Sequence, residues 1–202
     1  MRLVTEMRHR IFVVLLLAVF IAVQSGCLFE PRQAEQPGGG EETPWIVPNT
    51  SDDVFSNLKS GFEASSNSNY ERSLDESFTF KPRPEDEAQL PAGVFDGWTK
   101  TVELEVVTRL KGEYPGKRTI RFGAEGADRW QRRDVKVGIA IYEGEYMIEI
   151  DSGNGVQSYA GIARFTVVQT SLGWVLKEWE DLDVNGNFPT SGYLRGTLRS
   201  SG

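Results

Sequence analysis

The sequence contains little of the chemistry on which most hydrolases and metal sites depend. Among its 202 residues there is one histidine, His9, and one cysteine, Cys27. Both lie near the N-terminus, so the remainder of the chain has neither an imidazole nor a thiol. Serine or cysteine triads, zinc sites with His or Cys ligands and histidine acid–base catalysis are therefore excluded from that remainder acting alone. We expect no cofactor.

The chain also lacks a hydrophobic run long enough to span a bilayer permanently. The 13 apolar residues from Ile11 to Val23 fall well short of the roughly 20 that a transmembrane helix needs. Three arginines precede this run, which is the pattern of a secretory signal peptide. Residues 1–26 are therefore predicted to be a leader that is removed.

Small residues lead from this run into the cysteine. The stretch Val23-Gln24-Ser25-Gly26-Cys27 resembles the lipobox of bacterial lipoproteins, in which the cysteine is lipidated on sulfur and becomes the acylated N-terminus. Gln24 departs from the aliphatic residue usual in that family. The resemblance implies that Cys27 anchors the protein to a membrane of the bacterial cell envelope, on its periplasmic or outer surface. The alternative, ordinary signal peptidase cleavage, prefers an Ala-x-Ala pattern that is absent here.

Basic residues are too few for a nucleic-acid-binding protein. There are 22 Lys and Arg against 29 Asp and Glu, a net charge of −7. Loss of residues 1–26 removes three arginines and one glutamate, which makes the net charge of the mature chain −9. Binding to nucleic acid needs a basic footprint and is therefore not expected.

Residues 27–44 are rich in Pro, Gly and Glu and too poor in apolar residues to pack. They are predicted to be a flexible tether with a typical end-to-end distance of about 20–25 Å. The periodic segments all lie within residues 45–185, which we predict to be the folded domain. Residues 186–202, rich in Gly, Ser and Thr, are predicted to be an irregular tail.

The stretch from Val156 to Asp181 is predicted to be a β-hairpin. Apolar and polar residues alternate up to Val167, the turn falls at Ser171-Leu172-Gly173, and the β-favouring segment Trp174–Trp179 runs back. Upstream, apolar spacing predicts three helices, one over Ser51–Ser65, a short one from Asn67 or Ser68, and one over Trp98–Leu110.

Strands and a loop are predicted between and after these helices. Phe78–Phe80 is predicted to be a brief strand, Lys81–Gly97 a loop and Arg118–Gly123 a strand. The apolar positions then change phase between residues 141 and 146. A bulge at Gly144 in one long strand, or a tight turn there, would explain the change, and we favour the bulge.

The order of elements indicates an α+β fold in which three N-terminal helices pack on a curved, mainly antiparallel sheet of four to five strands. With Leu58-x3-Phe62, Tyr70-x3-Leu74-x3-Phe78-x-Phe80 and the closing Gly173–Asp181, this order resembles the nuclear transport factor 2-like superfamily, the cystatin-like cone fold of ketosteroid isomerase and polyketide cyclases. The resemblance implies a pocket between the helices and the concave face of the sheet, and a homodimer through the outer face.

Enzymes of this fold use Asp, Tyr and His in the cone, and here only Asp and Tyr are available. Tyrosines and tryptophans at these positions are also ordinary core residues, and a fold does not carry a function with it. We expect a binding or assembly module without a catalytic centre, for a small molecule or an envelope protein. The alternative is an isomerase or dehydratase that uses Asp and Tyr. The candidate pocket residues are Tyr70, Trp98, Tyr142, Asp151, Tyr159, Trp179 and Asp181.

One motif after the last strand has partial metal-binding spacing. Asp181, Asp183 and Asn185 occupy positions 1, 3 and 5 of a calcium loop, with Gly186 at position 6. The twelfth position is Gly192, where such loops have a bidentate glutamate. We therefore predict a plain turn, with a low-affinity calcium site as the alternative.

Replacement of Cys27 by Ala is expected to leave the precursor unprocessed and without an acyl group, because the thiol is the proposed attachment point. Metabolic labelling with palmitate measures this directly. Persistent label in Cys27→Ala would contradict the lipobox interpretation.

Overall fold

The computed structural model describes residues 44–123 and 131–201, which belong to a compact unit of residues 40–202. The predicted leader, Cys27 and all but the last residue of the predicted tether lie outside the described residues. In the described ranges, the helices are too short or too polar to cross a membrane.

The helices form where apolar residues share one face. In the first, the predicted stripe is confirmed, since Val54, Leu58 and Phe62 are all buried. The described ranges contain α1 (Asp53–Glu63), α2 (Ser68–Arg72), α3 (Pro84–Ala88), α4 (Lys100–Glu113) and α5 (Ser191–Ser200).

The strands form one sheet of order β1-β6-β5-β4-β2, with β3 also paired to β4. They are β1 (Leu74–Lys81), β2 (Arg118–Phe122), β3 (Gln131–Lys136), β4 (Ile139–Asp151), β5 (Val156–Thr170) and β6 (Gly173–Val184). Only the β1–β6 pair among these is parallel. The predicted α+β class and mainly antiparallel sheet are confirmed, but the five helices and six strands of the described ranges exceed the predicted numbers.

The predicted hairpin is confirmed, because β5 and β6 pair antiparallel on either side of the turn at residues 171 and 172. The predicted bulge at Gly144 is wrong. β4 pairs with β5 residue for residue from Ile139 to Asp151.

The alternation of buried residues is unbroken along β4, where Ala140, Tyr142 and Tyr146 are all buried. Ile139 and Ile141 belong to the opposite, half-buried set, so the apparent change of phase comes from apolar residues on both faces of the strand. A tight turn at residues 137 and 138 separates β3 from β4.

Two predicted boundaries in the N-terminal half are also wrong. β1 begins at Leu74 and is longer than the brief strand predicted at Phe78–Phe80, because it pairs with β6. The predicted loop over 81–97 contains the short helix α3, which Pro84 begins at its first position. The third predicted helix is present as α4, shifted towards the C-terminus by its cap at Thr99.

The prediction that residues 186–202 form an irregular tail is wrong, because this segment contains α5. Thr190 caps the helix, its hydroxyl accepting a hydrogen bond from the backbone N of Tyr193 at 3.3 Å. Leu194 and Leu198, one turn apart, are both buried. The folded domain therefore extends past residue 185.

The core is centred on Trp179, which has no solvent exposure. Its ring lies 4.8 Å from that of Phe165, 5.4 Å from Tyr146, 5.8 Å from Phe122 and 6.5 Å from Phe80, measured between centroids. These edge-on contacts join β1, β2, β4, β5 and β6 on one face of the sheet, which we call the inner face.

Replacement of Trp179 by Ala is expected to lower the free energy of unfolding by about 3–5 kcal/mol, since the cavity would lie among these rings. Urea denaturation measures the loss. Trp174→Ala on the same strand is the control, and because its ring is only partly buried the loss should be smaller. A loss below about 1 kcal/mol for Trp179→Ala would contradict its place in the core.

Candidate functional site

A buried ion pair lies between α4, α5 and the inner face of the sheet. The side chains of Glu103 and Arg195 are 0% and 7% exposed. Arg195 Nη2 donates to Glu103 Oε1 at 2.9 Å, and Nε donates to both carboxylate oxygens at 3.1 and 3.2 Å. This forked geometry offsets the free energy lost when both charges leave water.

Two aromatic residues complete the hydrogen bonding of the Glu103 carboxylate. Tyr70 OH donates to Oε1 at 2.7 Å, and Trp98 Nε1 donates to Oε2 at 2.9 Å. Burial raises the pKa of Tyr70 well above its ordinary value, and the charge of Glu103 raises this pKa further. The phenol therefore stays protonated and keeps donating near neutral pH.

The Arg195 guanidinium also lies over two aromatic faces. It is 4.6 Å from the ring centroid of Phe80 and 4.2 Å from that of Trp179, within range of cation–π attraction. Burial lowers the pKa of Arg195, but Glu103, Tyr70 and Asp181 together outweigh burial, and the pKa is raised overall. Arg195 is thus a permanent positive charge inside the domain.

A second buried carboxylate, Asp181, lies on the inner face of β6. It accepts hydrogen bonds from Trp179 Nε1, Ser191 Oγ and the backbone N of Gly192, each at 2.8 Å. Ser191 N in turn donates to Tyr146 OH at 2.8 Å. Burial raises the pKa of Asp181, while Arg195 and these donors oppose that rise. The start of α5 is fixed to the sheet by these contacts.

A third carboxylate, Asp86 of α3, holds the same helix end from the other side. It accepts from Thr190 Oγ1 at 2.6 Å and from Arg83 Nη2 at 2.8 Å. The three carboxylates and their partners form what we call the buried polar network. Its members are Tyr70, Arg83, Asp86, Trp98, Glu103, Tyr146, Trp179, Asp181, Thr190, Ser191 and Arg195.

Little room is left beside this network. The cavity next to Tyr70, Glu103 and Arg195 has a volume of about 20 Å³ and is otherwise lined by apolar side chains of α1, α4, α5 and the sheet. One water molecule occupies a space of roughly this size. A substrate of several carbon atoms therefore does not fit in this cavity.

An open groove of about 500 Å³ lies between α1, β2 and β4, and Tyr146 of the network is one of its lining residues. We call it the α1–β4 groove. Its apolar walls come from side chains including Phe55, Phe122 and Met147, and two cationic residues, Lys59 and Arg121, line it with them. The full lining is Phe55, Ser56, Lys59, Arg121, Phe122, Gly123, Glu145, Tyr146, Met147 and Asn185.

Four of the predicted pocket residues meet in the network, namely Tyr70, Trp98, Trp179 and Asp181. The other three lie elsewhere. Tyr142 OH donates to Asp52 Oδ1 at 2.8 Å, and burial raises its pKa to about 12. Tyr159 is half-buried and donates to Gln157 at 3.0 Å, and Asp151 is exposed at the end of β4.

The residues of the partial calcium motif have other contacts. Asp181 is committed to the network, and Asp183 Oδ1 accepts a hydrogen bond from the backbone N of Val184 at 2.8 Å. Gly186 has φ of +69°, which fits the predicted turn. Within residues 44–123 and 131–201, no group of three or more His, Cys, Asp or Glu side chains is placed to hold a metal ion.

Sequence reasoning missed Glu103 and Arg195. A signal was present for Glu103, because it precedes the buried residues Val106, Val107 and Leu110 at helical spacing and so falls on the apolar face of α4. Arg195 lies beside Leu194 and one turn before Leu198 in the same way. A single charge on an apolar face indicates a buried partner of opposite sign.

No protein-family model and no curated protein matches the chain. Solved structures do. A candidate aromatic ring hydroxylase from Novosphingobium aromaticivorans has a TM-score of 0.53 at 11% identity, covering 66% of this chain and 86% of that one. A nuclear transport factor 2-like protein from Salmonella enterica has a TM-score of 0.49 at 11% identity, covering 70% and 93%. A protein of unknown function from Mycobacterium tuberculosis has 0.49 at 9% identity, covering 73% and 82%.

The candidate hydroxylase, at a TM-score of 0.53, shares the fold of this chain, and the nuclear transport factor 2-like domain remains a prediction. At 9–11% identity the likeness carries no activity, ligand or partner to this chain.

Removal of one partner of the ion pair is expected to cost about 3–5 kcal/mol of unfolding free energy, because the other charge is left buried. Arg195→Met and Glu103→Gln should each show this loss in urea denaturation, and the double variant should lose less than their sum. Arg164→Met is the surface control. Arg164 is 37% exposed, so its pairs with Glu143 and Glu180 should be worth less than about 1 kcal/mol. Strictly additive losses would contradict the coupling.

Proposed function

We propose that the protein is a membrane-anchored, extracytoplasmic lipoprotein of the bacterial cell envelope whose domain is a binding or assembly module. Cys27 carries the lipid, and the ligand is a small molecule or an envelope protein. A homodimer through the outer face of the sheet belongs to the same proposal. The observation that supports a binding role over a catalytic one is that side chains fill the interior around Arg195 and Glu103.

The acid and phenol groups of the interior are already committed to structural contacts. Glu103 accepts from three side chains and is neutralised by Arg195, and Asp181 accepts from three donors. A general base must reach a substrate proton, with or without one bridging water. The space of about 20 Å³ beside Glu103 does not admit a substrate to that carboxylate, and Asp181 is only 3% exposed.

The α1–β4 groove supports the binding role. It is large enough for a small ligand, and its aromatic walls offer apolar contact area. Lys59 and Arg121 outnumber Glu145 among its charged residues, in a chain whose net charge is negative. The groove therefore favours a ligand with an apolar body and an anionic group.

The alternative is an isomerase or dehydratase in which Asp181 and Tyr146 act as base and donor. Both groups lie together against Ser191, at the start of α5. Tyr146 also lines the α1–β4 groove, whereas Asp181 is 3% exposed, so that alternative requires Asp181 to become accessible.

The anionic aromatic dye 8-anilinonaphthalene-1-sulfonate distinguishes the two sites by fluorescence titration. We expect it to bind in the groove and Lys59→Glu to weaken binding by about tenfold, as one reversed charge near the ligand does. Lys177→Glu is the matched control, an exposed lysine outside the groove lining, and should bind as the wild type does. If Lys59→Glu leaves the affinity for the dye unchanged and Asp181→Asn abolishes binding, the result would favour the alternative, a catalytic site at Asp181.

A further inference from the structure

Two neighbouring turns at one end of the sheet each expose a large apolar side chain. Leu172, between β5 and β6, is 87% exposed, and Val137, between β3 and β4, is 100% exposed. The turns lie side by side, since Gln169 N donates to the carbonyl of Gly138 at 2.8 Å. Each of these neighbouring tips thus carries one aliphatic side chain that the domain does not bury.

The segment that leads into the domain lies at the same end. Ile46 and Val47 are 46% and 58% exposed. The carbonyl of Pro48, the next residue, accepts a hydrogen bond at 3.0 Å from the backbone N of Trp174, just after the β5–β6 turn. The chain therefore enters the domain within a few residues of the exposed tips.

Exposure alone does not select this end. Val156, at the other end of β5, is 65% exposed, and Phe188 and Tyr193 are 43% and 36% exposed. The 15 residues of β5 separate Val156 from the Leu172 turn by roughly 45 Å, at about 3.3 Å per residue. The point where the chain enters the domain distinguishes the two ends of the sheet. A tether over residues 27–44 has a typical end-to-end distance of about 20–25 Å, so it holds the entry end near the anchor.

We propose that the end bearing Ile46, Val47, Val137 and Leu172 rests on the bilayer, with the two turns inserted among the lipid headgroups. This inference rests on the lipid anchor of the proposed function. A short tether keeps the two turns at a high effective concentration near the bilayer surface. Insertion of a few aliphatic side chains is then sufficient to hold this end of the domain on the membrane. Because the chain is acidic overall, the contact is apolar and is not driven by charge. The opposite end, with Val156 and Tyr193, then faces away from the membrane.

The test uses the mature sequence, residues 28–202, with a hexahistidine segment in place of the acylated cysteine. Vesicles of phosphatidylcholine and phosphatidylglycerol with a nickel-chelating lipid hold this protein at its N-terminus. The attachment does not depend on acylation, so failure of the Cys27 anchor, which palmitate labelling detects, is separate from failure of this orientation. Leu172→Cys and the matched control Val156→Cys each provide one thiol for an environment-sensitive fluorophore, and both positions are exposed, so the fold tolerates the label.

We expect the label at position 172 to shift to the blue on vesicles and to lose emission when the acyl chains are brominated. The label at 156 should show neither change, and the shift at 172 should persist at high salt. Equal behaviour at the two positions, or insertion at 156 instead of 172, would overturn the proposal. A shift at position 172 that high salt abolishes would show that charge drives the contact, and it would overturn the proposed apolar contact.

Discussion

The fold depends on a charge pair whose members cannot be buried one at a time. A lone carboxylate or guanidinium in this interior would cost several kcal/mol, and the forked contact between Glu103 and Arg195 removes that penalty only when both are in place. Tyr70 and Trp98 fill the remaining acceptor positions, while Trp179 and Phe80 cover the guanidinium. The pair therefore links α4, α5, β1 and β6.

The position of α5 follows from this pair and from close packing on one side of the helix. A Cβ at Gly196 would lie 2.7 Å from Phe95 Cζ, so only glycine allows the helix to come this near. One turn further on, Arg199 lies 5.3 Å over the ring of Trp98 and donates to the carbonyl of Val94 at 2.8 Å. The long connection between α3 and α4 is thereby held beneath the last helix.

Local sequence patterns predicted those elements whose structure depends on residues near one another in the chain. The alternation before Val167 identified the hairpin, and the stripe of α1 identified that helix. Sequence also selected Trp179 and Asp181 as inward-facing, but it could not show that a cation fills the space between such residues. Arg195 is 92 positions from Glu103, and no local pattern joins residues so far apart. The helix that carries Arg195 has poor intrinsic propensity, and it forms because distant carboxylates hold its first turn.

The separation of the two charges along the chain has a consequence for biosynthesis. Glu103 leaves the ribosome 92 residues before Arg195, a delay of roughly 5–20 s at about 5–20 residues per second. During that interval the nascent chain holds a carboxylate that has no cationic partner with which to be buried, so the interior cannot close. Completion of the core therefore waits until the segment that carries Arg195 has been synthesised.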